Sequence, residues 1–170
     1  AWLMSEDRRK VSPMHVGVGI GCHGSHRIVG ETTQIAMPEC GIGLIPDVGG
    51  SLMLALAPGR LGEYLGTTGT RMDAADAIYA GFADHYIPQL KWSETINALE
   101  TTGDVGQLVS NHADTPNSPL AARMDAINTH FAGESLGDVL RSLRADPSEF
   151  AQETRKGMGR MSPLSMACTI

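Results

Sequence analysis

The sequence predicts an α/β fold in which a glycine-rich, strand-bearing first part gives way to a helical C-terminal region. Three observations predict it. Residues 11–50 are dense in Gly, poor in charge and hold short β-like pieces. From about residue 50 onward, apolar residues recur at helical spacing. With 170 residues, 42% of them apolar and 19% charged, the chain is about one domain with a real core, not a disordered acidic chain.

The elements follow in order. Residues 1–10 are charged and show no clear period. "HRIVG" (26–30) and "QIAMPE" (34–39) read as short strands. "SLMLALA" (51–57) opens the helical part after Gly49 and Gly50. "GRLGEYLGTTG" (59–69) and "DAADAIYAG" (73–81) are helices, each ending at a Gly suited to a C-terminal cap. Asp73 is a good N-cap for the second. "FADHYIP" (82–88) reads as a strand that Pro88 stops. A helix begins at Ser93, and another over 119–133 puts Leu120, Met124, Ile127 and Phe131 on one core-facing stripe. "SLGDVLRSLRAD" (135–146) groups Leu136, Val139, Leu140 and Leu143 on one face. The next helix is expected to take Asp146 as N-cap, Pro147 at N1 and Glu149 at N3. "SPLSMACTI" ends the chain without an obvious cap. Neither an internal repeat nor a low-complexity segment is visible.

Composition excludes some functions. A net charge of −6 argues against non-specific nucleic-acid binding, and the strongest basic cluster, Arg8–Lys10, reads as a solvated stretch. The longest apolar runs fall far short of a membrane span, and no signal-peptide pattern opens the sequence. Cys22, Cys40 and Cys168 are scattered without a CxxC, which suits buried thiols in a reducing compartment and a cytoplasmic location.

Two motifs compete for a ligand. "GIGCHG" (Gly19–Gly24) fits G-x-G-x-x-G, with Glu39 at about the ribose-binding distance. The context does not match: Pro13 breaks the segment that should be the preceding strand, and "SHRIVGE" after Gly24 looks like a strand rather than a long helix. No nicotinamide cofactor is therefore expected. His23 and His26 are three apart with Cys22 nearby, but zinc needs three or four convergent ligands, so no metal is expected.

The carboxylates in "MPECGIGLIPDVGGS" (Met37–Ser51) stand out, because the segment otherwise reads as buried and has no Lys or Arg to pair with them. Asp47 after Pro46 suits a turn or the N-cap of a helix beginning near Val48. Alternatively, Glu39 and Asp47 are there for their chemistry.

The order "HGSHRIV", "AMPECGIGLIPDVGG", "LGEYLGTTGTRMDAADAIYAGFADHYIP" and, more faintly, "SEFAQETRKGMGRMSPLS" resembles the crotonase (enoyl-CoA hydratase/isomerase) superfamily, and within it the 3-hydroxyisobutyryl-CoA hydrolase branch. The resemblance covers most of the chain after about residue 14. It implies a partial crotonase-like spiral of ββα units followed by a helical C-terminal region. On that basis residues 1–13 are a poorly matching N-terminal segment, 14–90 a partial crotonase-like core, and 91–170 the helical region. Family members are about twice this length, and their N-terminal part supplies further strands and one oxyanion-hole amide. Residues 1–9 do not resemble that part.

The resemblance also implies roles. Glu39 falls on the catalytic glutamate, acting as nucleophile or general base toward a thioester. Asp47 falls on the residue that binds the 3-hydroxyl of the acyl group. Val16 and Gly17 lie in the substrate-binding glycine segment, with the second oxyanion amide falling on Val16. Gly19 stands where a hydratase carries its second glutamate, so hydration of a double bond is disfavoured. The implied reaction is hydrolysis of a short-chain 3-hydroxyacyl-CoA thioester, as in valine degradation. Its partner is the acyl-CoA, with CoA as part of the substrate rather than a cofactor. A homo-oligomer is possible, and the location is the mitochondrial matrix if the source is eukaryotic. The competing expectations are a truncated, catalytically inactive crotonase-like domain with a structural or oligomerisation role, which need not bind CoA, or an enoyl-CoA hydratase/isomerase.

Overall fold

A computed structural model describes residues 21–106, 108 and 111–170. Strand β1 (Ile28–Val29) lies parallel to β2 (His85–Tyr86), with Ile28 opposite His85 and Val29 opposite Tyr86. A parallel pair cannot be joined by a tight turn, and the intervening chain supplies the crossover as helices. Both strands are shorter than the sequence suggested. After Val29, Gly30 N–H donates to Thr33 Oγ1 at 3.0 Å and the chain turns away. After Tyr86, one more ladder bond forms, from Ile87 N–H to Val29 O at 2.9 Å, before Pro88.

The start of β1 is fastened by charge. Asp84 accepts from Arg27 N–H at 2.8 Å and from Nε at 2.9 Å through Oδ2, and from Nη2 at 2.6 Å through Oδ1. Arg27 Nη1 also donates to Gly81 O at 2.6 Å. This forked, charge-assisted arrangement fixes both distance and orientation.

The strand expected over 34–39 is a single antiparallel bridge. Ile35 and Met72 exchange both backbone bonds, at 2.9 and 2.7 Å. It ends because Pro38 has no N–H for a ladder and Glu39 opens a 3₁₀ turn (Glu39–Ile42).

Helices α1 (Gly50–Ala55), α2 (Leu61–Thr68) and α3 (Ala74–Tyr79) follow. Helix α2 is the hub, buried at every position except Glu63. Its two glycines make this possible. A Cβ on Gly62 would overlap the Leu54 carbonyl of α1, and one on Gly66 would lie 2.7 Å from Thr169 Cγ2 and 3.0 Å from Leu54 Cδ1. Helix α3 begins where expected, with Asp73 Oδ1 accepting from Asp76 N–H at 2.9 Å. It ends at Gly81, whose φ of +79° allows Phe82 N–H to reach Ala77 O at 2.8 Å while Gly81 N–H reaches Ile78 O at 3.1 Å.

The C-terminal part contains α4 (Trp92–Thr102), α5 (Met124–His130), α6 (Leu136–Ala145), α7 (Glu149–Met158) and α8 (Pro163–Thr169). The stripe of α5 faces the core as expected: Leu120, Ile127 and Phe131 are buried and Met124 packs against them. Phe131 meets Tyr64 of α2 edge to face, with ring centroids 5.5 Å apart.

One cap differs from expectation. Ser148, not Asp146, is the N-cap of α7, its Oγ accepting from Ala151 N–H at 3.2 Å. Asp146 instead closes α6 in an extended conformation and accepts from Ser148 N–H and Oγ at 2.8 and 2.7 Å. It also meets His130 Nε2 at 2.9 Å, while His130 Nδ1 lies 2.8 Å from Ser142 Oγ. The Asp146 carboxylate is thus taken up by His130 and by the N-cap residue Ser148 itself. Helix α8 opens on Ser162, whose Oγ accepts from Ser165 N–H at 3.3 Å, with Pro163 following at N1.

Candidate active site

The two acidic residues singled out in the sequence sit at opposite ends of one short segment and in opposite environments. Pro38 ends the extended chain, and Glu39 begins the 3₁₀ turn with its side chain enclosed, only 1% exposed. The turn is stopped by Gly43 at φ +82°, and Leu44 N–H returns to Glu39 O at 3.0 Å. Helix α8 anchors the turn from behind. Ser162 N–H donates to Cys40 O at 2.8 Å, and Cys40 Sγ lies 3.4 Å from Thr169 Oγ1.

Asp47 is exposed. It opens a four-residue turn closed by Gly50 N–H to Asp47 O at 2.6 Å. Both central residues have positive φ, +43° at Val48 and +82° at Gly49, so the turn is of type I′. Gly49 adopts that conformation freely. For the β-branched Val48 it is strained, by roughly 1–3 kcal/mol. The sequence left Asp47 open as an N-cap. In the structure the N-cap of α1 is Gly49, with no side-chain bond, so the Asp47 carboxylate is not engaged in capping.

The segment is set on the core by its small and cyclic residues. Pro46 is buried near Gly66 of α2, and Gly50 lies against the Met37 methyl group. Its outer face is apolar and open, with Ile42, Leu44, Ile45 and Val48 each at least half exposed around Asp47. An open cavity of about 400 Å³ lies beside Pro46 and is lined by Leu54, Arg60, Glu63 and Thr169; neither Glu39 nor Asp47 lines it.

His23 is the residue whose place the sequence did not reveal. In the turn that follows Gly21, His23 Nε2 reaches Val48 O at 3.2 Å. The Nε2–Cε1 edge of the ring sits against Gly49, where an added Cβ would fall 2.6 Å from His23 Cε1 and closer still to Nε2. Its sequence signals were the spacing from His26, too sparse for a zinc site, and its place in the "HGSHRIV" motif; neither placed it against Val48 and Gly49. Among the described residues no group of His, Cys, Asp and Glu is arranged to hold a metal.

The thiols near the segment are not poised nucleophiles. Burial pushes the Cys22 thiol up to about 11, and burial likewise raises Cys40. Val16, Gly17 and Gly19, the other positions that the sequence pointed to, lie outside the described residues.

Comparison with known proteins covers nearly the whole chain. The family described as Enoyl-CoA hydratase/isomerase matches residues 13–170. The mitochondrial 3-hydroxyisobutyryl-CoA hydrolase of Xenopus laevis is 37% identical over 164 residues, covering 90% of this chain and 43% of that protein. The hydrolase of the same name from Mus musculus is 39% identical over 165 residues, with 91% and 43% covered. Among solved structures, a carnitinyl-CoA dehydratase from Mycobacterium thermoresistibile superposes with a TM-score of 0.87 at 41% identity, over 92% of this chain and 46% of that one. An enoyl-CoA hydratase from Rhodobacter sphaeroides 2.4.1 gives a TM-score of 0.85 at 49% identity, over 92% and 45%. The chain thus spans less than half the length of each of these four relatives.

Proposed function

Because the chain belongs to the enoyl-CoA hydratase/isomerase (crotonase) family, we propose that it carries the catalytic segment for hydrolysis of a short-chain 3-hydroxyacyl-CoA thioester to free acid and CoA. The observation that supports this most is the pairing of an enclosed Glu39 with an open, uncapping Asp47 eight residues later. Glu39 acts on the thioester carbonyl, as a base that takes a proton from the attacking water or as the attacking nucleophile itself. An enclosed carboxylate interacts with the reacting centre more strongly than a solvated one. Asp47, an acceptor when ionised, receives the hydrogen bond of the 3-hydroxyl. On the resemblance, the Val16 backbone N–H is one of two donors to the developing oxyanion, the other belonging to the N-terminal part that family members carry, and each donor is worth about 10²–10³ in rate. The C–S bond then breaks, and CoA leaves as the thiol after taking up a proton; on the nucleophilic route a water then hydrolyses the acyl–Glu39 anhydride, which releases the free acid and restores the carboxylate.

CoA enters as part of the substrate, not as a resident cofactor. On this reading 14–90 is the partial core that carries the reacting segment and 91–170 the helical region that follows it. The names of the hydrolase relatives support a mitochondrial location if the source is eukaryotic. No helix among the described residues is long and apolar enough to cross a membrane.

The hydratase and dehydratase names of the two solved structures, at 49% and 41% identity, favour a second reading, hydration of an enoyl-CoA. That reaction in this family uses two glutamates, and Gly19 occupies the second position. The experiment measures thiol release from 3-hydroxyisobutyryl-CoA beside loss of absorbance from crotonyl-CoA. Cleavage is expected to exceed hydration, and Glu39→Gln is expected to abolish it. Asp47→Asn is expected to weaken selection for the 3-hydroxyl as well as rate. Hydration exceeding cleavage rejects the hydrolase reading, and failure to bind CoA thioesters at all favours a structural domain.

A further inference from the structure

We propose that His23 is a positioning residue for Asp47, holding the Asp47–Gly50 turn in its left-handed form. The inference rests on the reading that Asp47 receives the substrate hydroxyl. A carboxylate can select a hydroxyl only if its direction is fixed, and Asp47 is exposed on a turn with a strained second residue. A β-branched Val48 left alone prefers negative φ, which would rotate the Val48 peptide and swing the Asp47 side chain with it.

His23 opposes that rotation in two ways. Its Nε2–H donates to Val48 O at 3.2 Å, which fixes the orientation of the Val48–Gly49 peptide. Its ring also rests on the bare Cα of Gly49, a surface that exists only while residue 49 has no side chain. Gly49 therefore serves twice, by accepting φ +82° and by admitting the ring. Strain held in place at a functional turn by a side chain from another element is the expected mark of such a device. His23 touches no reacting atom in this account, and it acts through Asp47.

The test reads the turn and the substrate separately. In NMR spectra of the chain, Val48 should show the strong intraresidue HN–Hα cross-peak that a positive φ produces. His23→Ala should lose it, and His23→Gln, which keeps a donor, should retain it. The double variant His23→Ala with Val48→Asn should regain it at residue 48, since Asn tolerates the left-handed region. In a Glu39→Gln background that blocks turnover, calorimetry compares binding of 3-hydroxyisobutyryl-CoA with isobutyryl-CoA. The preference for the hydroxylated ester should fall about tenfold in His23→Ala and return in the double variant. A positive-φ cross-peak that survives His23→Ala overturns the proposal. Loss of the cross-peak with an unchanged preference overturns the hydroxyl-binding role of Asp47, and leaves His23 as the residue that holds the turn.

Discussion

Gly62→Ala tests the packing that carries the candidate site, because α1 grows directly out of the Asp47–Gly50 turn and α2 is the surface on which it lies. The perturbation adds one methyl group. At Gly62 that carbon would overlap the Leu54 carbonyl oxygen and sit 2.7 Å from the Leu54 carbonyl carbon, well inside the 3.4 Å at which ordinary contact begins. Both obstacles are backbone, so no rotamer change relieves them. Helix α1 must retreat from α2 by at least the missing 0.7 Å, loosening Met53 and Leu54, which are 8% and 7% exposed. Overpacking of this kind costs about 1–3 kcal/mol. The gain from replacing Gly in a helix is at most about 1 kcal/mol and is smaller in the first turn, where Gly62 lies. The net expectation is a loss of about 1–2 kcal/mol, or a Tm lower by roughly 2–8 °C for a chain of this size. Gly157→Ala is the control. It makes the same chemical change in α7, where an added Cβ meets nothing within 4 Å. There only the helix preference operates, and Tm should rise by about 1–4 °C. The assay is thermal unfolding by circular dichroism of parent and both variants. A Gly62→Ala chain that unfolds at or above the parent temperature would refute the close-approach argument, as would equal shifts in both variants.

Two further outcomes are expected. Phe131→Ala, which empties a site that is 0% exposed and removes the edge-to-face contact with Tyr64, should cost about 3–5 kcal/mol in denaturant unfolding. Asp84→Asn should change how stability depends on pH. The side-chain hydrogen bond from Arg27 lowers the Asp84 pKa below the usual 3.8, opposed by partial burial. Its folded value is depressed, so its stabilisation is complete above about pH 5 and is lost as pH falls through the folded value. The parent should therefore exceed the variant by about 1–2 kcal/mol at pH 7, a partly exposed pair being screened, and the gap should close below pH 3.8. A gap that widens on acidification would contradict this.

The sequence by itself determined what depends on neighbours within a turn or two. Asp73 caps α3 and Gly81 ends it because the bonds involved span three to five residues. The stripe of Leu120, Ile127 and Phe131 is buried because helical spacing puts those side chains on one face whatever lies opposite. The order of motifs around Glu39 and Asp47 was enough to point to the family that the comparisons show. Tertiary structure decided what depends on residues far apart in the chain. Strand β1 finds β2 57 positions away, and the Arg27–Asp84 fork closes over the same distance. Asp146 had a good N-cap sequence, but His130, 16 residues earlier, and Ser148 engage its carboxylate, so the cap passed to Ser148. The contrast between an enclosed Glu39 and an open Asp47 was equally invisible, because both lie in one uniformly apolar stretch. Only packing against α2 and α8 decides which side of that stretch is inside. His23 was legible as a histidine three residues from another. Its place against Gly49 arises from two distant backbones meeting, one of them in a turn whose positive φ at Val48 no local preference would choose.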